Sequence, residues 1–248
     1  MTDTVQEELG TTAASNSLRD NENTAGPMLA AAAIFILLQP VMQIVGVFLL
    51  LIVTFGQMGA EAAVTVALIG ADIGILALIH KNLNSDKAPS LKQIGWCRPV
   101  NGWLENLLLI TAILAVSSIF EYYYVAFIGE ELQQELVSTF HSLASGNQSI
   151  ILFLFLVTVT LGAPLVEELV FRGYLQSALA KYLPPAAALL LASVIFASAH
   201  LDAMAFPVLL VSGLGLGYLY YRSKSIFPSM LLHFLGNSLA TAMILSDF

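Results

Sequence analysis

Long apolar runs, separated by short polar stretches, dominate the chain after residue 26. The hydrocarbon core of a bilayer is about 30 Å thick and needs about 20 mostly apolar residues per helix, a length that several of these runs reach. The pattern therefore predicts an all-α fold, a polytopic transmembrane helical bundle of about seven membrane-spanning helices, within a range of about six to eight. The predicted spans are residues 27–55, 58–80, 103–128, 149–181, a segment ending near residue 200, 205–221 and 225–245.

The N-terminal segment has a different composition from the rest of the chain. Residues 1–26 are acidic and rich in Ser, Thr, Asn and Gly, which is typical of a disordered tail. A secretory signal would have a basic start followed directly by an apolar run, and this segment has neither. The sequence predicts a disordered acidic tail over residues 1–26 and one transmembrane helical domain over residues 27–248.

The overall composition excludes a soluble globular protein. Of the 248 residues, 58% are hydrophobic and only 10% are charged, whereas a soluble domain has about 25% charged residues. An integral, multi-pass membrane protein is expected, with the lipid bilayer as its surroundings. With 9 Lys and Arg against 17 Asp and Glu, no nucleic-acid partner is expected. Cys97 is the single cysteine, so no intramolecular disulfide can form.

The basic residues also predict an orientation. If the N-terminus is cytoplasmic, seven spans place most Lys and Arg on the cytoplasmic side and the acidic, amphipathic stretch 130–148 on the outside. The expected location is the plasma (inner) membrane in a bacterium or the endoplasmic reticulum membrane in a eukaryote. The basic residues assigned to the cytoplasmic side are Lys81, Lys87, Lys92, Arg98, Lys181, Arg222 and Lys224.

Ionisable residues inside spans are candidates for function because they are costly to insert into a membrane. Glu168 and Arg172 are four residues apart, so an α-helix places them on one face, suited to an ion pair. Glu167 projects away from that pair. The spacing predicts that Arg172 neutralises Glu168 and leaves Glu167 free to act.

Two later helices contribute further polar candidates. Glu167 and His200 lie about sixteen residues on either side of the turn at Leu183-Pro184, so a helical hairpin brings them to one depth. His233 and Asn237 are four residues apart and point the same way. His233, however, lies about eight residues from Lys224, which places it nearer the middle of the membrane than Glu167 and His200. Helix tilt or a kink has to close this gap of about 10 Å.

Each of these features also has a purely structural interpretation. A single intramembrane histidine, such as His200 or His233, is often a hydrogen-bonded packing residue, and a Glu-Arg pair often only joins helices. Glu61 and Asp72 share a helix face and can line a cavity, but a structural role is favoured for both. A Gly-x-x-x-Gly spacing without a preceding strand favours helix packing over phosphate binding. The glycines concerned are Gly213, Gly215 and Gly217.

The order of these motifs resembles a known family. Glu-Glu-x-x-x-Arg, then a histidine at the end of an apolar helix, then His-x-x-x-Asn on a later helix is similar to the CAAX prenyl protease and bacteriocin-processing family of intramembrane proteases. This family includes the Rce1-type prenyl endopeptidases and the bacterial Abi proteins. The resemblance covers about residues 149–245, which would form the protease-like catalytic core.

The resemblance implies a function and a role for each motif residue. The chain is expected to be a CAAX-type intramembrane endopeptidase whose substrate is a hydrophobic or lipid-anchored peptide or protein, prenylated or not. Glu167 would be the catalytic base for a water that His200 also holds. The developing oxyanion would be stabilised by His233 and Asn237, while Glu168 and Arg172 would support the site. No covalent intermediate is required.

Other interpretations remain open at this stage. Glu167, His200 and His233 could hold a catalytic zinc, but there is no His-Glu-x-x-His motif, so a reaction without metal or cofactor is favoured. A proton-coupled transporter would also carry Glu and His in its spans, yet no internal repeat supports it. A non-catalytic immunity or scaffold protein on the same fold is the other alternative. The sequence does not indicate the oligomeric state.

Overall fold

The computed structural model describes residues 2–129, 134–146 and 148–246, and every regular element within them is a helix. The predicted all-α helical membrane bundle is therefore confirmed. The helices are α1 (Thr2–Val53), α2 (Ala60–Leu83), α3 (Trp103–Ile128), α4 (Gln134–Ser145), α5 (Ser149–Leu179), α6 (Pro185–Ala199), α7 (Phe206–Ser223) and α8 (Ile226–Ser246).

The described part of the chain contains five helices long and apolar enough to cross a membrane. The fifth and sixth predicted spans are present as helices α6 and α7. Helix α6 has only 15 residues, about 22 Å of rise, and α7 is not among the five. The protein is an integral membrane protein, while the number of seven spans stays a prediction. The five are Thr24–Val53 of α1, α2, α3, α5 and Ile226–Ile244 of α8.

Two of the polar segments of the chain are partly helical. Helix α1 begins at Thr2, within the stretch for which composition predicts disorder, and the division of the chain at residue 26 stays a prediction. Helix α4 lies inside the predicted amphipathic stretch 130–148, of which residues 130–133 and 147 lie outside the described residues. Its apolar side buries Phe140 and Leu143 against Phe155 of α5, as expected for an amphipathic helix.

Helix α5 is continuous but changes its hydrogen-bond register twice. The segments Thr158–Gly162 and Glu168–Gln176 are π-helical, so their N–H groups bond five residues back instead of four. Such segments are rare and are frequent at functional sites. The second one contains most of the Glu-Glu-x-x-x-Arg motif.

The core of the bundle surrounds this π-helical segment. All residues from Glu168 to Gln176 are buried. Tyr174 packs edge-on against Phe35 of α1 with ring centroids 5.4 Å apart, and Phe171 packs against Phe196 of α6 at 5.2 Å. The middle of α5 is therefore enclosed by neighbouring helices.

The glycines of α7 allow close helix packing, as their spacing predicts. A methyl group on Gly213 would lie 3.1 Å from the ring of Phe196 in α6, and one on Gly217 would lie 3.1 Å from Leu189 of the same helix. Gly215 faces the other way, toward Ile113 of α3. These glycines let α7 fit between α6 and α3.

The loop between α2 and α3 enters the bundle. Ile94 is buried, and its carbonyl oxygen would lie 3.0 Å from a methyl group on Gly173 of α5. The carbonyl of Gly95 accepts a hydrogen bond from the Ile226 N–H at the start of α8, at 3.0 Å. This loop therefore separates α5 from the start of α8 and aligns the two.

Candidate active site

Glu167 is the point at which three helices meet. It is the last residue before the second π-helical segment of α5. Its Oε2 lies 4.0 Å from Nε2 of His200, which follows the end of α6, and 3.7 Å from Nε2 of His233 in α8. The expected meeting of Glu167 with His200 is confirmed, and His233 joins them.

The expected difference in depth between His233 and Glu167 is absent, because the C-terminal end of α5 and the start of α8 do not lie at the same depth. Since the loop at Ile94 and Gly95 lies between Gly173 and Ile226, α8 starts at the depth of Gly173. Glu167 is about six residues before Gly173 and His233 is about seven residues after Ile226, so the two segments have similar lengths. The two arms match, and no kink is needed.

The second glutamate has a different environment. Glu168 Oε2 lies 3.3 Å from Nε of Arg172, and both side chains are 0% exposed. Its other oxygen, Oε1, lies 3.1 Å from Nδ1 of His233. The predicted Glu168–Arg172 pair is confirmed, and the same carboxylate also orients His233.

Phe196 contacts the charged groups of the site and was not predicted from the sequence. The Arg172 guanidinium lies over its ring at 5.1 Å from the centroid, a favourable cation–π arrangement. The ring centroids of His200 and His233 lie 4.8 Å and 5.9 Å from it. Phe196 comes four residues before His200, but an aromatic residue in an apolar helix gives no signal that separates this role from ordinary packing.

The hydrogen bond of His200 determines its tautomer. Nδ1 lies 2.9 Å from the carbonyl oxygen of Phe196, and a carbonyl can only accept, so Nδ1 carries the hydrogen. In the neutral ring, Nε2 then presents a lone pair toward the Glu167 carboxylate. Two acceptors 4.0 Å apart suit a water molecule that donates one hydrogen to each.

Asn237 bonds to the first π-helical segment. Its Nδ2 donates to the carbonyl oxygen of Val159 at 2.9 Å. In an α-helix this carbonyl would accept from the Ala163 N–H, but that group donates to Thr158 instead. The next residue is Pro164, which has no N–H. The side chain of Asn237 therefore satisfies a carbonyl that the helix leaves without a backbone donor.

A third carboxyl group, Asp72 of α2, lies close to the site. It is buried, accepts a hydrogen bond from Gln39 of α1 at 3.2 Å, and is near enough to Glu167 for the two charges to interact. Its Oδ2 would lie 3.1 Å from a methyl group on Gly162. The signal for Asp72 is its position inside a span; the pairing with Gln39 is not visible in the sequence. Glu61, on the same helix, has no described contact to the site.

Glu167, His200 and His233 have side chains of the types that bind zinc in proteins. Within the described residues, no group of three or more His, Cys, Asp or Glu side chains has an arrangement that could hold a metal ion. The expectation of a reaction without cofactor stays a prediction, with zinc on Glu167, His200 and His233 as its alternative.

A family model matches the C-terminal part of the chain. Residues 149–239 match the family model for type II CAAX prenyl endopeptidases that are Rce1-like. No curated protein and no solved structure matches the chain significantly. The matched segment includes Glu167, His200, His233 and Asn237, together with the Glu168–Arg172 pair. The predicted resemblance is confirmed: residues 149–239 of this membrane protein carry the sequence pattern of the Rce1-like family of type II CAAX prenyl endopeptidases.

Proposed function

We propose that the protein is an intramembrane endopeptidase that cleaves a peptide bond of a hydrophobic or lipid-anchored substrate, using a water molecule activated by Glu167. The observation that carries this proposal is the different treatment of two adjacent glutamates. Glu168 is neutralised by Arg172 in the core, whereas Glu167 faces the free Nε2 atoms of two histidines. A carboxylate beside a histidine that can share a water is the arrangement required for general-base hydrolysis.

The first step is attack by water. The water donates to Glu167 and to Nε2 of His200, and Glu167 takes a proton as the water oxygen bonds to the scissile carbonyl carbon. The carbonyl π electrons move to oxygen and form a tetrahedral oxyanion. When the C–N bond breaks, its electrons go to nitrogen, and the proton held by Glu167 passes to the leaving amine. No protein–substrate bond forms.

His233 is assigned to the oxyanion. Its Nδ1 faces the Glu168 carboxylate, so Nδ1 donates, and Nε2 can donate only if the ring is an imidazolium. Two carboxylates, balanced by Arg172 and a positively charged His233, make the buried cluster neutral. Asn237 would use its second amide hydrogen, since the first is bonded to Val159. Donors fixed before the reaction stabilise such an oxyanion without reorganisation.

The substrate approaches from the side of His200. Its side chain is 31% exposed, against 16% for Glu167 and 10% for His233. A cavity of about 480 Å³ is lined by residues that lie on both sides of His200 in the sequence, and most of their side chains are apolar or small, which suits a hydrophobic substrate. The lining residues are Ala197, Ser198, Leu201, Asp202, Ala203 and Phe206.

The test is a cleavage assay with purified protein and a fluorogenic, prenylated C-terminal peptide. Glu167→Gln keeps the shape of the side chain but removes the base, so kcat is expected to fall by about 10²- to 10⁴-fold. Glu61→Gln is the matched control, since it removes another carboxyl group of a predicted span and should retain activity. Full activity in Glu167→Gln would overturn the proposal.

A complementation assay separates an enzyme from a non-catalytic scaffold or immunity protein. If the protein acts by catalysis, Glu167→Gln should insert and fold but fail to restore the phenotype of a deletion strain. Restoration by this variant would favour the non-catalytic role. Membrane peptides that accumulate in the Glu167→Gln strain, identified by mass spectrometry, would then reveal the physiological substrate.

A further inference from the structure

A second cavity lies at the end of the bundle, away from Glu167. It has a volume of about 270 Å³ and lies between the C-terminal ends of α5 and α7, the start of α6 and the loop before α3. Gln176, in its wall, is about nine residues past Glu167. We refer to this second cavity as the basic cavity. Its lining residues are Lys92, Gln93, Gln176, Ser177, Ala180, Lys181, Pro185, Ala188, Tyr220, Tyr221 and Lys224.

Three lysines from three separate chain segments line the basic cavity, and no carboxylate is among its described lining residues. Lys181 is held inside: its Nζ donates to Thr24 Oγ1 at 2.6 Å and contacts Met28 Sδ at 3.8 Å. Both partners are uncharged. Partial burial lowers the pKa of the Lys181 ammonium, as expected where a positive charge has left water without a counterion.

The other two lysines are exposed. Nζ of Lys224 lies 4.3 Å from the ring centroid of Tyr221. Lys92 is exposed in the loop before α3, and neither lysine forms an ion pair within the described residues. Because Lys92, Lys181 and Lys224 line the same cavity without a carboxylate among its described lining residues, an anion bound there would be attracted by three positive charges.

Neutral hydrogen-bonding groups complete the wall. The Ser177 and Tyr220 hydroxyl groups lie 2.6 Å apart, and Gln176 is anchored by a hydrogen bond from its Nε2 to the Gly217 carbonyl. A volume of about 270 Å³ is slightly below the range of about 300–1,000 Å³ for small-molecule sites. The cavity thus has room for a group of headgroup size.

We propose that the basic cavity binds a phosphate ester or phosphate ion, the group that an anionic phospholipid presents at the membrane surface. The cavity lies at the C-terminal end of span α5 and beside Lys224, two residues before span α8. The end of a span is expected to lie at the depth of the lipid headgroups. Basic pockets between transmembrane helices bind phosphorylated headgroups in other membrane proteins. Because α5 carries Glu167, a lipid bound at its end would link membrane composition to the stability of the active-site helix.

The test measures the thermal unfolding of purified protein in neutral detergent during titration with three probes. The probes are dioctanoyl phosphatidic acid, inorganic phosphate and, as a lipid without net charge, dioctanoyl phosphatidylcholine. Phosphatidic acid is expected to raise Tm at a much lower concentration than phosphatidylcholine. If inorganic phosphate raises Tm equally well, the anion is free phosphate; if phosphatidic acid alone does, the anion is a lipid headgroup. Both results support the site.

Lysine variants test whether the rise in Tm comes from binding in the basic cavity. Each lysine near a phosphate contributes about a fivefold change in affinity, so K92Q/K181Q/K224Q should need about 100-fold more phosphatidic acid for the same shift. K92R/K181R/K224R should retain the response. The control K81Q/K87Q/R98Q removes three exposed charges that do not line the cavity, and it should respond like the original protein.

Comparing Tm with and without probe for the same variant keeps the result interpretable if a substitution changes basal stability. An unchanged response of K92Q/K181Q/K224Q would overturn the proposal. So would an equal loss in K81Q/K87Q/R98Q, because it would show attraction to surface charge in general.

Discussion

Glu167 and Glu168 have identical side chains and adjacent positions, yet their surroundings differ. Glu168 is fully buried between Arg172 and Nδ1 of His233. Glu167 keeps contact with the exterior and faces Nε2 of both histidines. One carboxylate therefore organises the site, and the other is available to a water molecule.

The buried pair gives a prediction about stability. Arg172→Gln leaves the buried cluster around Glu168 with one uncompensated negative charge, and breaking a buried ion pair typically costs about 3–5 kcal/mol. The free energy of unfolding in detergent should fall by about that amount, as measured by chemical denaturation. Glu168→Gln/Arg172→Met, which removes both charges, should be more stable than Arg172→Gln alone. If the double variant is the less stable of the two, the charge pair is not what stabilises the core.

The sequence alone predicts some of the contacts in this site. Glu168 and Arg172 are neighbours on one helix, so their spacing alone predicts the pair. The meeting of Glu167 with His200 follows from equal distances to a proline turn. The roles of Phe196 and Gln39 depend on which helices pack together, and a single sequence has no local signal for that.

At the scale of elements, the π-helical segments of α5 decide how the motif is presented. An α-helix would direct the Ala163 N–H to Val159, but it donates to Thr158. Pro164 cannot replace the missing donor, and Asn237 of α8 does so instead. The register of α5 is thus linked to a side chain of another helix, and for this reason the α-helical periodicity of the sequence did not reveal it.

This link predicts that substitutions at Asn237 and Pro164 are not additive. Asn237→Ala leaves a carbonyl without a donor and should cost about 1–3 kcal/mol. Pro164→Ala introduces an N–H that can donate to Val159, so Asn237→Ala should cost less in that background. A double-mutant cycle on unfolding free energies measures the coupling. Additive effects would show that the Asn237–Val159 bond does not compensate for Pro164.

Activity in the same variants separates the two roles of Asn237. If Asn237 also donates to the oxyanion, Asn237→Ala/Pro164→Ala should recover stability but not kcat. Recovery of both would assign Asn237 a positioning role only.

The packing of α7 against α6 gives a second prediction at this scale. Gly213→Val would push against Phe196, whose ring contacts both histidines, and a shift of about 1 Å can reduce turnover about 100-fold. We expect kcat to fall by about 10- to 100-fold with smaller effects on KM. Gly70→Val is the matched control, since no atom lies within 4 Å of a methyl group there. Equal kcat values for the two variants would contradict the assigned role of Phe196.

The whole molecule has little charge, and the charged residues buried in the described part of the chain lie around one site. They are Asp72, Glu168 and Arg172. Apolar runs were enough to predict the bundle and the order of its helices, because membrane insertion depends mainly on composition and length. The apolar runs did not predict the depth of His233 correctly. That depth depends on a loop that enters the bundle, whereas counting from helix ends assumes that all loops lie outside.

Metal dependence is tested on the intact protein. With Glu167 as the base and His233 as the oxyanion donor, exhaustive chelation should leave peptide cleavage unchanged, and metal analysis of active protein should find less than one equivalent of zinc. Loss of activity on chelation, restored by added zinc, would instead favour zinc held by Glu167, His200 and His233.

The loop at Ile94 and Gly95 has a consequence for the modularity of the protein. It lies outside residues 149–239, which carry the family pattern, yet it holds α8 at the depth where His233 meets Glu167. The geometry of the candidate site therefore depends on residues outside 149–239. Substitutions in this loop are expected to change the distance between His233 and Glu167 although every motif residue stays intact.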